Sequence, residues 1–420
     1  MSENSHPLMH AGRSFALGRR GGIIAVAYAF GATMLGTTLP TPLYSIYRSE
    51  MALSELMVTV IFASYAAGTV GALLLAGSLS DDIGRRRVLL FGLALSALSA
   101  AAFLAADGVG LLLVGRVLSG LSAGVFTGTA TATLVDLAAP LGRARATLVA
   151  TVTNMGALGC GAVLAGLLAQ SAERPLALPF WFDLALLAPA AVLVWAMPEP
   201  IGARGAFRLR LQRPRIPSEV RVVFVPAALV AFAGFAVLGL FTAVIPGFLV
   251  QMLGVDSPAI VGVVVCAVFV ASTVGQTLLE PAFQDRALVV GCIGLTAAMG
   301  LLAVGIAESS LVFLLAGGIV AGLGHGLSFR HGLATINLAS PVQHRAEVAS
   351  AFFVIAYLGI SLPVIGVGLL TEVAGLRAAG LVFAAVVAGL ATIVVVALRG
   401  EQPRGRYHPG RRRVSNPTYE

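Results

Sequence analysis

Apolar residues gather along this chain into twelve long runs, separated by short polar turns. They cover roughly 22–40, 56–79, 88–106, 110–134, 146–169, 178–197, 222–249, 258–279, 287–306, 311–334, 348–370 and 378–398. A hydrocarbon layer about 30 Å thick takes about 20 apolar residues in a helix, so each run is long enough to cross it. The pattern predicts an all-α integral membrane protein with twelve transmembrane helices. Arg19 and Arg20 precede the first run, as they would in a signal peptide. Its length, the lack of a clear processing site and the eleven similar runs that follow make it a retained span.

The longest polar interruption, Glu199 to Arg221, divides the runs six and six. Around it the chain is written twice, at an offset near 202. Thr69-Val-Gly71 recurs as Thr273-Val-Gly275, Asp136-Leu-Ala-Ala-Pro140 as Asn337-Leu-Ala-Ser-Pro341, and Gly166-Leu-Leu-Ala-Gln170 as Gly368-Leu-Leu-Thr-Glu372. The expected organisation is an N-terminal tail over 1–21, a six-helix bundle over 22–198 and a basic linker over 199–221. A second bundle over 222–398 and a basic tail over 399–420 complete it.

Composition agrees, at 58% hydrophobic and 11% charged over 420 residues. A soluble domain carries about 25% charged residues. The charges are also unevenly placed. All 27 basic residues are arginine, and 23 of them fall on the side that holds both tails and the linker. Only Arg48, Arg174 and Arg377 fall on the other side, and Arg116 lies inside a span. The positive-inside rule then puts both termini in the cytoplasm, and the membrane expected is the inner (plasma) membrane. The net charge of +8 thus reports topology, and no nucleic-acid partner is expected. Trp181 and Trp195 bracket the sixth run as interfacial anchors do. Cys160, Cys266 and Cys292 sit singly in different spans, where free cysteines act as small packing residues. Neither a metal nor a cofactor is expected from their spacing.

Between the second and third runs lies Gly77-Ser-Leu-Ser-Asp-Asp-Ile-Gly-Arg-Arg-Arg87. Gly77 admits close helix contact and Gly84 suits a tight turn. Asp81 is placed to accept backbone amides at a helix N-terminus, where the dipole favours an acid. Arg85 and Arg86 are placed to pair with Asp136, at the same end of the fourth run. Stop-transfer charge alone explains the arginines, but not the acid and both glycines in register. Arg116, Gly120, Gly124 and Gly128 follow at four-residue spacing in the fourth run, and Gly318, Gly322, Gly326 and Arg330 in the tenth. Such spacing keeps the glycines on one helix face as a packing seam.

The pattern Gly-x-Leu-x-Asp-x-x-Gly-Arg-Arg resembles the loop 2–3 signature of the major facilitator superfamily of secondary transporters. Arg116-Val-Leu-Ser-Gly120-Leu-Ser-Ala-Gly124 resembles that family's fourth-helix signature. The resemblance covers residues 20–400 and implies two six-helix repeats with a substrate site between them. It implies a cytoplasmic latch at Gly77, Asp81, Gly84, Arg85, Arg86 and Asp136, and a role for Arg116 in proton coupling or substrate contact. A guanidinium inside a span needs a partner or water, and Asp183, at similar depth in the sixth run, is the candidate ion-pair partner. A static pair, or an arginine snorkelling outward, are the alternatives. His325, between two glycines, is a candidate proton carrier or a packed hydrogen-bonding residue. Asn154, Gln276 and Arg330 complete the coupling and substrate candidates, while Glu280 and His331 read as interfacial.

The resemblance is to the drug/proton antiporter-like branch, with two departures. The first run, Gly36-Thr-Thr-Leu-Pro-Thr-Pro-Leu-Tyr44, carries no acid, so a proton site is expected elsewhere. The fifth run, Gly156-Ala-Leu-Gly159-Cys-Gly161, lacks the proline of that branch's fifth-helix signature. Few amides lie in the spans, whereas a sugar site needs several placed hydrogen-bonding groups. The function expected is therefore proton-gradient-driven efflux of small lipophilic or amphipathic compounds by a monomer. An importer of a small organic metabolite, such as an acid held by Arg116, is the alternative. A membrane-embedded enzyme would need a nucleophile with its base or a metal cluster, and neither motif appears. With no lysine there is no Gly-x-x-x-x-Gly-Lys loop, so transport driven by ATP is not expected.

Overall fold

The structure, a computed structural model, describes residues 17–76, 79–138, 142–200 and 216–400. Gly77, most of both tails and most of the linker lie outside them, as does the Asp81 side chain. Among the described residues, ten stretches are apolar and long enough to cross a membrane, and none forms a strand. Two are too long to cross once, Pro258–Ala307 with 50 residues and Val342–Arg399 with 58. At 1.5 Å per residue the longer would span roughly 85 Å, almost three hydrocarbon layers. Each turns back on itself, at Gln284 (φ 42°) and at Gly375 (φ 83°). Glycine at 375 makes that left-handed turn without a Cβ penalty.

Twelve crossings result. The first half comprises α1 (Arg19–Thr38), α2 (Glu55–Ala76), α3 (Arg85–Leu104), α4 (Val109–Leu137), α5 (Arg143–Ser171) and α6 (Leu178–Ala196). The second comprises α7 (Arg221–Ala243), α8 (Pro258–Val274), α9 (Ala287–Ala307), α10 (Leu311–Ala339), α11 (345–374) and α12 (376–400). Short connections make successive helices antiparallel. Residues 200 and 216 therefore lie at one end of the bundle, called here the linker end, opposite a far end.

The helix ends depart from the apolar runs where proline intervenes. The first run continues to 40, yet α1 stops at Thr38, and Pro40 and Pro42 lead into a short helix, Tyr44–Met51. The seventh run reads unbroken to 249, yet α7 stops at Ala243 and a second short helix, Ile245–Leu253, begins with Pro246 in its first turn. Proline lacks the amide that would continue the helix and is tolerated in a first turn. The two breaks occupy equivalent places in the halves. Beyond Val274, α8 loosens into a π-turn, Gly275–Leu279.

Close glycine contacts hold each half together. A β-carbon on Gly120 would lie 2.9 Å from the Thr69 amide nitrogen and closer still to the Tyr65 carbonyl oxygen. Gly124 meets Thr69 and Ala72 of the same helix, α2. In the second half, Gly322 meets Val268 and Ser272 of α8, Gly326 meets Ser272 and Gln276, and Gly318 meets Phe241 and Val268. Lipid tails are as apolar as the helices, so close van der Waals approach drives this association. Gly128 corrects the seam expected from spacing: nothing lies within 4 Å of its absent β-carbon, because α4 there faces a cavity. The seams also put Ser272, not Thr273, in the place of Thr69, one residue away from the sequence match.

Between the halves, α5 packs on α8 and α2 on α11. Trp181 and Trp195 are exposed at opposite ends of α6. Cys292 is buried and Cys266 half-buried, but Cys160 is exposed on the bundle surface, contrary to a packing role.

Candidate functional site

At the linker end the chain leaves α2 through Leu79–Ile83 and enters α3 across Gly84, whose φ of 99° suits glycine. The Glu199 carboxylate caps α3, accepting the Arg85 amide at 2.8 Å and the Arg86 amide at 3.0 Å. Glu199 was missed in the sequence because it lies just past the sixth run, where an acid reads as linker. A β-carbon on Gly84 would lie 2.9 Å from this carboxylate, a second reason for glycine there. Arg85 donates to Asp136 at 3.3 Å and to the Ser80 hydroxyl. Arg86 does not join Asp136; as the next residue on α3 it points about 100° round the helix from Arg85 and reaches the Trp195 carbonyl at 3.3 Å. Glu199→Ala is expected to cost about 1 kcal/mol, the usual value of a cap, read as a lower thermal midpoint in detergent. An unchanged midpoint would show that the cap carries no stability.

Between the halves lies a cavity of about 800 Å³. Its lining runs from Asp136, Thr147, Asn337 and Ala349 at the linker end to Arg116, Thr37 and Thr41. Asp136 and Arg116 are twenty residues apart on α4, roughly 30 Å at 1.5 Å per residue. The amides Asn154, Gln276 and Asn337 all face it, as do Gly128 and Arg330. The rest is largely apolar and aromatic, a composition usual for small-molecule sites.

The far end is shut. Gly166 of α5 abuts the backbone of Pro258 and Ala259, Gly262 of α8 abuts Ala162 and Val163, and Gly368 of α11 abuts Leu56 and Thr59. Polar contacts cross the same end. Ser257 donates to Gln170 at 2.8 Å, Glu372 accepts the Leu56 amide at 3.3 Å, and Glu55 accepts from Gln251 while pairing with Arg48 at 2.6 Å. In the sequence Gly166, Gln170, Gly368 and Glu372 stand out only as a repeat, and the contacts they make here do not, since apart from Arg48–Glu55 the partners come from different halves.

Arg116 is buried at the closed end of the cavity. Its Nη1 donates to the Thr37 carbonyl at 2.8 Å and its Nη2 to the Phe62 carbonyl at 3.5 Å. The guanidinium carbon lies 4.8 Å from the Tyr65 ring centre and 5.3 Å from that of Phe62. Its Nε has no hydrogen-bond partner. The expected Arg116–Asp183 ion pair is absent, because each side chain meets α1 instead. Asp183 packs against Gly36, where a β-carbon would be 2.7 Å from its Oδ2, while Arg116 takes the carbonyl of the next residue, Thr37. Asp183 is buried and its Oδ1 is without a partner.

His325 does not reach the cavity. Its Nδ1 lies 2.9 Å from the Ser272 hydroxyl, which accepts from Gln276 at 3.3 Å, and its ring packs among Phe235 and Phe329. Gln276 thus joins a buried histidine to the cavity wall. Glu280 is no solvated edge residue: it pairs with Arg330 at 3.3 Å and lies 3.6 Å from His331. No cluster of three or more potential metal ligands occurs among the described residues.

Paired helical halves enclose a cavity that is closed at one end, the architecture of a membrane transporter. The sequence matches the family model of the Major Facilitator Superfamily over residues 22–362, and the chain belongs to that superfamily. No curated protein matches it. Among solved structures it resembles a bacterial homologue of the human lysosomal transporter Spinster, captured inward-facing and unoccupied. The identity is 15% over 95% of this chain and 100% of that one, with a TM-score of 0.73. It also resembles a human organic anion transporter, MFSD10 (TETRAN), at 16% identity, 91% and 100% coverage and a TM-score of 0.65. A peptide transporter in complex with sulfate gives 14%, 90% and 94%, and 0.73. At these identities the likeness is one of fold.

Proposed function

We propose that this transporter exports small lipophilic or amphipathic compounds in exchange for protons entering down their gradient, as a monomer in the inner (plasma) membrane with both termini cytoplasmic. The observation that carries the reading is the cavity, lined by residues at the linker end and shut at the far end. With the arginine-rich linker end in the cytoplasm, cargo loads from inside the cell. The apolar lining, broken by three amides and Arg116, suits a compound with a large apolar body and a polar head. Arg85, Asp136 and Glu199 brace α2–α4 beside the mouth, where the loop that resembles the family latch would engage on closure.

Asp183 is the coupling acid in this reading. Its buried carboxyl has no ion-pair partner among the described residues and packs against Gly36, one residue along α1 from the carbonyl that holds Arg116. Intramembrane ionisable groups of this kind mark proton routes. A shift of α1 is then felt at both side chains.

Proteoliposomes of known orientation, given a proton gradient and a panel of amphipathic fluorophores, test it. Gradient-driven flux toward the face opposite the linker, collapsed by an uncoupler, is expected. In Asp183→Asn, flux should lose its dependence on the gradient while exchange down a substrate gradient persists. Flux in the opposite direction would make the protein an importer, and full coupling in Asp183→Asn would remove Asp183 from the mechanism.

A further inference from the structure

Among the described residues, three charged side chains line the cavity: Arg116, Asp136 and Arg330. Two are answered by protein, Asp136 by Arg85 and Arg330 by Glu280, each at 3.3 Å. Arg116 meets two backbone carbonyls and two rings, but no acid. Among the described residues no carboxylate lies within ion-pair distance of it, one of its nitrogens is unpartnered, and it is 2% exposed. A buried charge without a counter-ion is unfavourable, and the remedy in membrane proteins is a partner or a lined cavity.

A wall of rings begins at this guanidinium. Tyr65 lies beneath it at 4.8 Å, and the Tyr65 ring is 6.3 Å from that of Tyr357 in the other half. Tyr357 is 5.7 Å from Phe235, Phe235 is 5.4 Å from Phe329, and Phe329 is 6.0 Å from Phe353. All of these rings line the cavity. They form one aromatic surface that starts at a lone cation and crosses from one half to the other.

Building on the transport reading, we infer that the cargo is an aromatic organic anion, its carboxylate or sulfonate on Arg116 and its ring along the wall from Tyr65 to Phe353. An anionic oxygen pair matches the planar donor fork of a guanidinium. Aromatic rings stack at 4.5–7 Å, the spacing the wall already shows. Aromatic faces alone also attract cations. Here a cation on those rings would sit beside Arg116, and the lining acid, Asp136, is engaged by Arg85. The wall therefore selects for rings and Arg116 selects the sign of the charge.

The test keeps the ring and varies the charge. Thermal unfolding of the full-length protein in detergent is followed with 2-naphthoate, naphthalene-2-sulfonate, 2-naphthamide and 2-naphthylmethyl-trimethylammonium. The two anions should raise the midpoint saturably and bind about tenfold tighter than the amide or the cation, the effect of one charge-assisted contact. In Arg116→Gln the anion preference should vanish; Arg116→Lys, which keeps the charge, should retain part of it. Phe353→Ala should weaken all four probes while leaving their ranking unchanged. The inference is overturned if the cation or the amide binds as tightly as the anions, if no probe binds, or if a folded Arg116→Gln keeps the preference. Should Arg116→Gln not fold, the wild-type ranking and Phe353→Ala decide. Flux of the same probes into proteoliposomes separates the two readings. Anion binding without flux under any gradient refutes transport and keeps the site. Flux of the cation without anion binding refutes the anion and keeps transport.

Discussion

Gly120→Leu is expected to leave no folded protein. Gly120 sits where α4 crosses α2, with the Tyr65 carbonyl and the Thr69 amide occupying the space a side chain would take. Those atoms belong to the backbone of a continuous helix, so no rotamer change relieves the clash; the helices must separate. Separation would also pull Gly124 from Thr69 and Ala72, undoing the seam along its length. Overpacking a core costs about 1–3 kcal/mol when side chains can shift, and backbone against backbone lies at or above the top of that range. Domains are stable by only about 5–15 kcal/mol. The readout is size-exclusion chromatography after extraction, with aggregate in place of a monodisperse peak. Gly128→Leu, one turn beyond the seam and facing open space, is the control and should fold normally. A well-folded Gly120→Leu would show that α2 and α4 are free to part.

Gly262→Leu should give the opposite outcome, a folded protein unable to work. Its clash is with Ala162 and Val163 of the other half, across the α5–α8 contact that shuts the far end. That contact has to open when the cavity turns to the far side. The leucine therefore penalises one state of the cycle and spares the other. A natural reporter lies one turn away: Cys266, whose sulfur would be 3.1 Å from a β-carbon on Gly159 of α5. In a Cys160→Ser background, a membrane-impermeant maleimide should label Cys266 about tenfold faster in Gly262→Leu than in the parent, a bias of about 1.4 kcal/mol toward the far-open state. Transport should fall in step. An unchanged labelling rate with normal flux would mean that α5 and α8 do not separate here.

The twelve crossings were legible as apolar runs, because length and apolarity are local properties that the bilayer reads directly. The seventh run misled beyond Ala243, since Pro246 sits among residues as apolar as the helix it ends. Four-residue glycine spacing marked the seams correctly at Gly120, Gly124, Gly322 and Gly326, but carried Gly128 with them. Spacing shows which face a residue occupies and cannot show where the neighbouring helix diverges from it. Arg116 and Asp183 share a depth, and depth alone made them partners; the α1 backbone at Gly36–Thr37 takes up both. Glu199 and the pair Glu55–Gln251 went unnoticed for a related reason. Each acts on a segment more than a hundred residues away, a distance no local pattern spans.

The solitary charge at the closed end of the cavity has an electrical consequence. Without cargo, the Arg116 guanidinium is a fixed positive charge inside the membrane with no ion-pair partner among the described residues, while on the proposal of an anionic cargo a seated anion makes that site neutral. A transmembrane voltage acts on net charge, with about 2.3 kcal/mol per elementary charge per 100 mV across the full field. As the cavity re-faces, the field is redistributed around that charge in the empty protein, and the loaded one passes through with little to push against. On that proposal voltage falls on the return stroke, and a polarised cell sets the pace of the transporter's recovery more than the speed of its delivery.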